Sequence, residues 1–176
     1  MFEHHATARL RLERLTAEHV EDLFRLHTDP AVMATLGGVR SREETEAMLH
    51  AATAHWGTYG FGLWMLYDID SGRFAGRGGL KHASVEGCDE VEVAYGLMPE
   101  LWGRGLATEL ARESVRIGFE ALNLSHLVCF TLTTNQASQR VMQKVGFRYE
   151  RDFVHAGLPH VLYRLLRADW LQAQAS

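Results

Sequence analysis

Apolar and polar residues alternate at Arg9-Leu10-Arg11-Leu12, the period-two signature of a strand with one face in a core. The period then lengthens. Thr16 can cap a helix whose Val20, Leu23, Phe24 and His27 fall on one face, and Asp29-Pro30 ends it. Gly37-Gly38 breaks the chain again, and Ser41-Arg42-Glu43-Glu44 has the capping-box pattern of a second helix running to about Tyr59. Phe61 to Ile69 and Phe74 to Lys81 read as strands around the hairpin-type turn Asp70-Ser71-Gly72-Arg73, with Gly76, Gly78 and Gly79 weakening the second run or marking a bulge. Glu90 to Leu97 is a third long strand. Leu106 to Asn123 is predicted as a helix from its face at Ala107, Leu110, Ala111, Ser114, Ile117 and Ala121. His126 to Thr133 follows as a buried strand, Asn135 to Val145 as a helix closed by Gly146, and Phe147 to Val154 with His160 to Leu166 as a terminal antiparallel pair. The order is mixed α/β. No repeat, low-complexity tract or linker divides it, so residues 1–176 are expected to form one domain.

Composition narrows the classes of function. A chain of 176 residues can bury a core without staples, and Cys88 and Cys129 stand in no metal or redox spacing. They read as two half-buried thiols of an intracellular protein. The balance of 18 Lys+Arg against 22 Asp+Glu, a net charge of −4, argues against a nucleic-acid partner and weakly suits a cationic amine. Met1 to Leu12 lacks the pattern of a leader, and no apolar run approaches a membrane span, so a soluble, cytoplasmic protein without a membrane partner is expected. The ten histidines are scattered without a ligand spacing, which predicts no metal.

Candidate chemistry begins at Trp102-Gly103-Arg104-Gly105-Leu106-Ala107-Thr108-Glu109, between a predicted strand and a predicted helix. Unhindered N–H groups at a helix start point at an anion, the macrodipole favours negative charge there, and glycine lets a phosphate approach the backbone. Dinucleotide readers need Gly-x-Gly-x-x-Gly with a later acidic residue, and triphosphate loops need Gly-Lys-Ser/Thr; both are missing. A cradle for a diphosphate on another carrier remains, and a nucleotide-dependent kinase is disfavoured.

Glu92-Val93-Ala94-Tyr95-Gly96-Leu97-Met98-Pro99-Glu100-Leu101 leading into that stretch, then Asn135-Gln136-Ala137-Ser138 and Lys144-Val145-Gly146-Phe147, resembles the GNAT superfamily of N-acetyltransferases. The opening, Thr7 to Leu12 with Thr28-Asp29-Pro30-Ala31-Val32, and the closing Tyr163-Arg164-Leu165 and Asp169-Trp170 resemble its Rim-type branch, which includes enzymes acetylating N-termini of ribosomal proteins. The resemblance covers nearly the whole chain. It implies a mixed, mainly antiparallel sheet with helices on both faces, and acetyl-CoA in a cleft between two splayed parallel strands, Val91 to Leu97 and His126 to Thr133. Backbone groups of Leu97 and Met98 would meet the pantetheine arm and thioester carbonyl. The N–H groups of Gly103, Arg104, Gly105, Leu106, Ala107 and Thr108 would hold the pyrophosphate. Asn135 would reach the pantetheine, or else serve as an ordinary helix cap. Related proteins often pair, which makes a homodimer the expectation.

The pattern departs from the superfamily twice. Trp102 stands where many members carry Gln or Arg, leaving Arg104 as the nearby cation, and Met142 stands where a proton-donating tyrosine is common. Ser138, a serine position used near the CoA sulfur in some Rim-type members, is the substitute donor, or else a small residue packing in a helical turn. Tyr163 and water are the other candidates. Glu92 is the first choice for the base that takes the ammonium proton; alternation puts it with Glu90, Ala94 and Gly96 on one strand face, opposite Val91, Val93 and Tyr95. Both glutamates could instead be solvated or ion-paired. His155 and His160, around the turn Ala156 to Pro159, are alternative bases. Trp56, Tyr59, Phe61 and Trp64 pack in the core or shape an acceptor pocket. These residues describe direct transfer to a primary amine, a peptide N-terminus by the Rim-type resemblance, with a small amine (amino acid, polyamine or antibiotic) and a non-catalytic acyl-CoA-binding module as alternatives.

Overall fold

The computed structural model describes residues 4–175. Strands β1 (His4–Ala6) and β2 (Leu10–Arg14) precede helices α1 (Val20–Thr28), α2 (Pro30–Met33) and α3 (Arg42–Tyr59). An antiparallel run follows: β3 (Leu63–Asp68), β4 (Phe74–Val85) and β5 (Cys88–Leu97). The chain continues through α4 (Leu106–Arg116), β6 (His126–Leu132), α5 (Gln136–Val145), β7 (Arg148–His155), β8 (Leu158–Leu166) and α6 (Arg167–Gln174). All eight strands form one sheet in the order β1-β2-β3-β4-β5-β6-β8-β7. Every neighbouring pair is antiparallel except β5 and β6.

Strand alternation divides the core. Trp64 and Leu66 of β3 join Val93 and Leu97 of β5 under Leu106, Leu110, Ala111 and Val115 of α4. Leu63 and Met65 face the other way, against Leu23 and Leu26 of α1 and Leu49 of α3. Helices thus cover both faces. The capping box at Ser41 starts α3 as predicted: Ser41 N–H donates to Glu44 Oε2 at 2.7 Å, and Glu44 N–H to Ser41 Oγ at 3.2 Å.

Four local differences from the sequence reading have clear causes. Asp29 ends α1 but also starts α2, its Oδ1 accepting from the N–H groups of Ala31 and Val32 at 2.9 and 3.1 Å, with Pro30 in the first helical position. The glycines of β4 do mark a bulge, at a register shift between Leu66 and Tyr67, yet they do not weaken the strand. They admit close packing: a Cβ on Gly76 would stand 2.2 Å from Gly96 O, and one on Gly78 2.5 Å from Leu110 Cδ2. The helix predicted to Asn123 leaves α geometry at Ile117, where a wider turn bonds Leu122 N–H to Ile117 O at 3.0 Å and lets Gly118 sit against Leu127. Finally, β1 and α6 are too short and too weakly patterned to be read from periodicity.

Candidate active site

The parallel pair breaks the sheet. Whereas β4 and β5 pair over ten register positions, β5 and β6 share one, Glu92 with Val128, and beyond it the strands separate. Met98 N–H donates to Ala75 O at 2.9 Å on the β4 side, so alternation turns the N–H and C=O of Leu97 and Tyr95 toward the side that β6 has left. Cys129 Sγ, donating to Val93 O at 3.0 Å, ties the two strands just before the gap.

At the far end of β5 the chain turns through Pro99–Leu101 and reaches α4 by way of Gly103 (φ +75°) and Gly105 (φ +79°), left-handed conformations that favour glycine. A Cβ on Gly103 would meet nothing within 4 Å, so the loop surface is open. Side chains cap the helix starts at Asp29, Ser41 and Asn135, whereas α4, like α1 and α6, starts without one. Its first N–H groups are therefore left for an external acceptor. Leu106 anchors this turn in the core, with Ala107 and Thr108 following it on the helix.

Glu92 and Ser138 approach the gap from opposite faces of β5. Glu92 is buried beside Lys81, its register partner, with Nζ 2.8 Å from Oε2. Among the described residues this ion pair is the one partner of Glu92 Oε2. Glu90 is different: Arg164 Nη2 reaches its Oε1 at 2.9 Å and His126 Nε2 its Oε2 at 2.7 Å. Those bonds outweigh the upward push of burial and hold its carboxyl below the usual range. Of the two acids placed on this face by alternation, Glu90 is held by two side chains from β6 and β8, Glu92 by Lys81 alone. On the other face, Tyr95 Oη lies 2.9 Å from Ser138 Oγ in the first turn of α5, and burial pushes the Tyr95 phenol well up, so it keeps its proton.

A family model described as an acetyltransferase (GNAT) domain matches residues 9–148. The FsC-acetyl coenzyme A-N(2)-transacetylase of Aspergillus fumigatus is 33% identical over 185 aligned residues, covering 96% of this chain and 78% of that protein. The chain belongs to the GNAT acetyltransferase family. Solved folds agree: a GNAT-family acetyltransferase of Bordetella pertussis superposes with TM-score 0.80 at 23% identity, covering 92% of this chain and 98% of its own. The ribosomal-protein-S5-alanine acetyltransferase of Vibrio fischeri superposes with TM-score 0.77 at 15% identity, covering 95% and 98%.

Membership in the GNAT family makes this an acetyl-CoA-dependent N-acetyltransferase, and the β5–β6 gap with the uncapped start of α4 fits that donor's arm and diphosphate. Within this GNAT domain some expected positions are spent on the protein itself. Both backbone groups of Met98 are taken, N–H by Ala75 and C=O by Leu101 N–H at 3.0 Å; the cleft-facing backbone belongs to Tyr95 and Leu97 instead. Arg104 turns its guanidinium to Asp68, 3.8 Å from Oδ2, and its carbonyl accepts from Arg9 Nη1 at 2.8 Å. Asn135 is a helix cap: Oδ1 accepts from Ser138 N–H at 3.1 Å, and Nδ2 donates to Thr131 Oγ1 at 3.0 Å. Trp102 donates its indole N–H to Leu97 O at 2.8 Å, fixing the strand end beside the cradle.

Other candidates are engaged with neighbouring side chains. His155 and His160 pack with Phe130 and Phe153, ring centroids 4.9 to 6.0 Å apart, and burial holds the His155 imidazole below its ordinary range. Tyr163 Oη meets Gln139 and Gln143, each at 3.4 Å. Trp56 and Trp64 are core residues, whereas Tyr59 is half exposed and stacks on His82 at 4.1 Å. The cysteines are not a half-buried pair: Cys88 is exposed at the β4–β5 turn, and Cys129 is buried, its thiol pushed up by desolvation. A groove of about 1110 Å³ runs along α4 past Arg112, Arg116 and Trp170 and includes Gly105, but no residue of β5 or β6 lines it. Among the described residues no three His, Cys, Asp or Glu side chains gather as metal ligands, and no helix is long and apolar enough to cross a membrane.

Sequence reasoning missed Tyr95 as a partner of Ser138, and it missed Arg77. Tyr95 was visible only as an aromatic on the buried face of β5, and what it touches depends on α5, which follows 40 residues later. Arg77 did carry a signal, a charge inside the apolar, glycine-rich run Phe74 to Leu80.

Proposed function

We propose that this protein transfers the acetyl group of acetyl-CoA to a primary amine directly, in a ternary complex. The observation that carries this reading is the single-bridge β5–β6 split lying next to a helix start that no side chain caps. Bound acetyl-CoA supplies an activated thioester. The N–H groups from Gly103 to Thr108 would hold its diphosphate, and the backbone of Tyr95 and Leu97 its arm, with Leu97 N–H the donor for developing negative charge on the carbonyl oxygen. Asn135 supports this indirectly, by fixing the first turn of α5 from which Ser138 projects.

Glu92 takes the proton of the acceptor ammonium, directly or through ordered water, because it is a buried carboxylate on the cleft strand whose single ionic partner is Lys81. On the opposite face the Tyr95–Ser138 hydroxyl pair holds a proton where a departing thiolate needs one, one helical turn before the buried Met142. Cys129, protonated and bonded to Val93 O, is unsuited to carry an acetyl group. The finer reading, a peptide N-terminus as acceptor, rests on the Rim-type opening and closing segments.

A mass-spectrometric screen of N-terminal peptides and small amines, run with wild type, Glu92→Gln and Ser138→Ala, tests the proposal. Acetylated amine should appear with wild type and fall sharply with Glu92→Gln. CoA binding without transfer to any acceptor would instead mark an acyl-CoA-binding module, and acetyl trapped on a cysteine would replace direct transfer.

A further inference from the structure

The face of the sheet that carries Glu92 also holds charged groups that the transfer step does not use. Arg77, in the middle of β4 opposite Gly96, is 7% exposed. Its Nε has no hydrogen-bond partner, and among the described residues no carboxylate forms an ion pair with its guanidinium. His27 of α1 is fully buried; its Nδ1 lies 2.9 Å from Thr45 Oγ1 and its Nε2 is unpaired. Arg77 Nε and His27 Nε2 are thus two buried polar atoms without partners, and the charges around them act on one another: Arg77 and Arg40 on His27, and Arg40 and Glu92 on Arg77. The segment after α2 covers them. Arg40 N–H donates to His27 O at 3.0 Å, and Leu36 stands 3.0 Å from where a Cβ on Gly96 would lie.

An unpaired guanidinium is among the costliest groups to bury, so its partner is expected from outside the chain. The sign of that partner follows from the neighbours. Arg77, Arg40 and Lys81 face a single carboxylate, Glu92, which Lys81 already neutralises. The surplus is positive, and the planar fork of a guanidinium matches a carboxylate in two parallel bonds.

We propose that Arg77, with Arg40, recognises a carboxylate on the acceptor, so that the substrate is an amine bearing an acid group within one residue of the amine that Glu92 deprotonates. The acid can be the α-carboxylate of a free amino acid or the side chain of an acidic first residue in a peptide. Purely cationic acceptors such as polyamines are rejected, which reverses the weak preference suggested by net charge. The inference rests on the transfer reading above, and its test includes a readout independent of transfer.

Matched acceptors decide it: amino acids against their decarboxylated amines, and peptides beginning with Asp or Glu against those beginning with Asn or Gln. Wild type should favour one acidic set by about 10-fold or more in kcat/KM, and the favoured set names the source of the carboxylate. Arg77→Gln should bring that ratio close to one and leave acetyl-CoA affinity unchanged. Removing an unpaired buried charge should not lower Tm, so loss of folding does not mask the result. Separately, glutarate should raise the Tm of wild type but not of Arg77→Gln. Equal use of both sets, an unchanged ratio in Arg77→Gln, or no glutarate shift in wild type would overturn the carboxylate site. Absence of all transfer would count against the transfer reading, with the glutarate shift still deciding the site.

Discussion

The two faces of β5 are polar in different ways. Toward α5, Tyr95, Ser138 and Cys129 spend their polar atoms on one another and on the backbone. Toward α1, Arg77 and His27 each keep a buried atom without a partner, and Glu92 has only Lys81. A protein free to optimise stability alone would pair or replace the second set, because an unpaired buried polar group costs on the order of 1–3 kcal/mol, more when charged. The contrast separates a face that holds the site in shape from a face left incomplete until substrate arrives.

Substitutions should sort the same way. The largest effect is expected from Glu92→Gln, which should lower kcat by roughly 10²–10⁴-fold with acetyl-CoA affinity and Tm nearly unchanged, read by steady-state kinetics and calorimetry. A loss of folding with little loss of kcat would move Glu92 to the structural face. Next comes acid sensitivity. Burial, then Arg77 and Arg40, hold His27 neutral down to a pKa of about 3, whereas the unfolded chain takes up that proton near 6.5. Between those values the unfolded state binds more protons, so stability is complete above about pH 6.5 and falls as pH drops toward 3. The loss is on the order of a few kcal/mol. Thermal unfolding across pH should show that slope in wild type and a flatter one in His27→Gln.

On the paired face the signs reverse. Tyr95→Phe strips Ser138 Oγ of its partner and should cost about 1–2 kcal/mol of stability by denaturant titration, with a smaller effect on kcat than Glu92→Gln. Asn135→Ala should be mildest, about 1 kcal/mol for a lost cap. If it also raised the KM for acetyl-CoA well beyond what that instability explains, Asn135 would touch the donor as well as cap α5.

Much of this was legible in residue order. The period switches, the capping box at Ser41 and the strand–glycine–helix order around Gly103 and Gly105 are local, and local geometry realised them. What sequence could not supply was pairing across distance. Glu90 and Glu92 look alike on β5, and only the arrival of Arg164 from β8 and His126 from β6 distinguishes them. Arg104 was the nearby cation of the cradle, and only the arrival of Asp68 from the end of β3 shows where its guanidinium turns. Met98 sits next to Leu97 in the same strand end, yet strand alternation turns their backbone groups to opposite sides.

The single bridge between β5 and β6 has a consequence for solvent exchange. Leu97 lies in a strand whose other edge is fully paired, yet its own amide faces a gap where no neighbouring strand completes the ladder. In deuterated water that amide should exchange early, ahead of sheet amides at equal depth, and slow when acetyl-CoA fills the gap. The protection of one peptide group thus reports cofactor occupancy without any turnover at all.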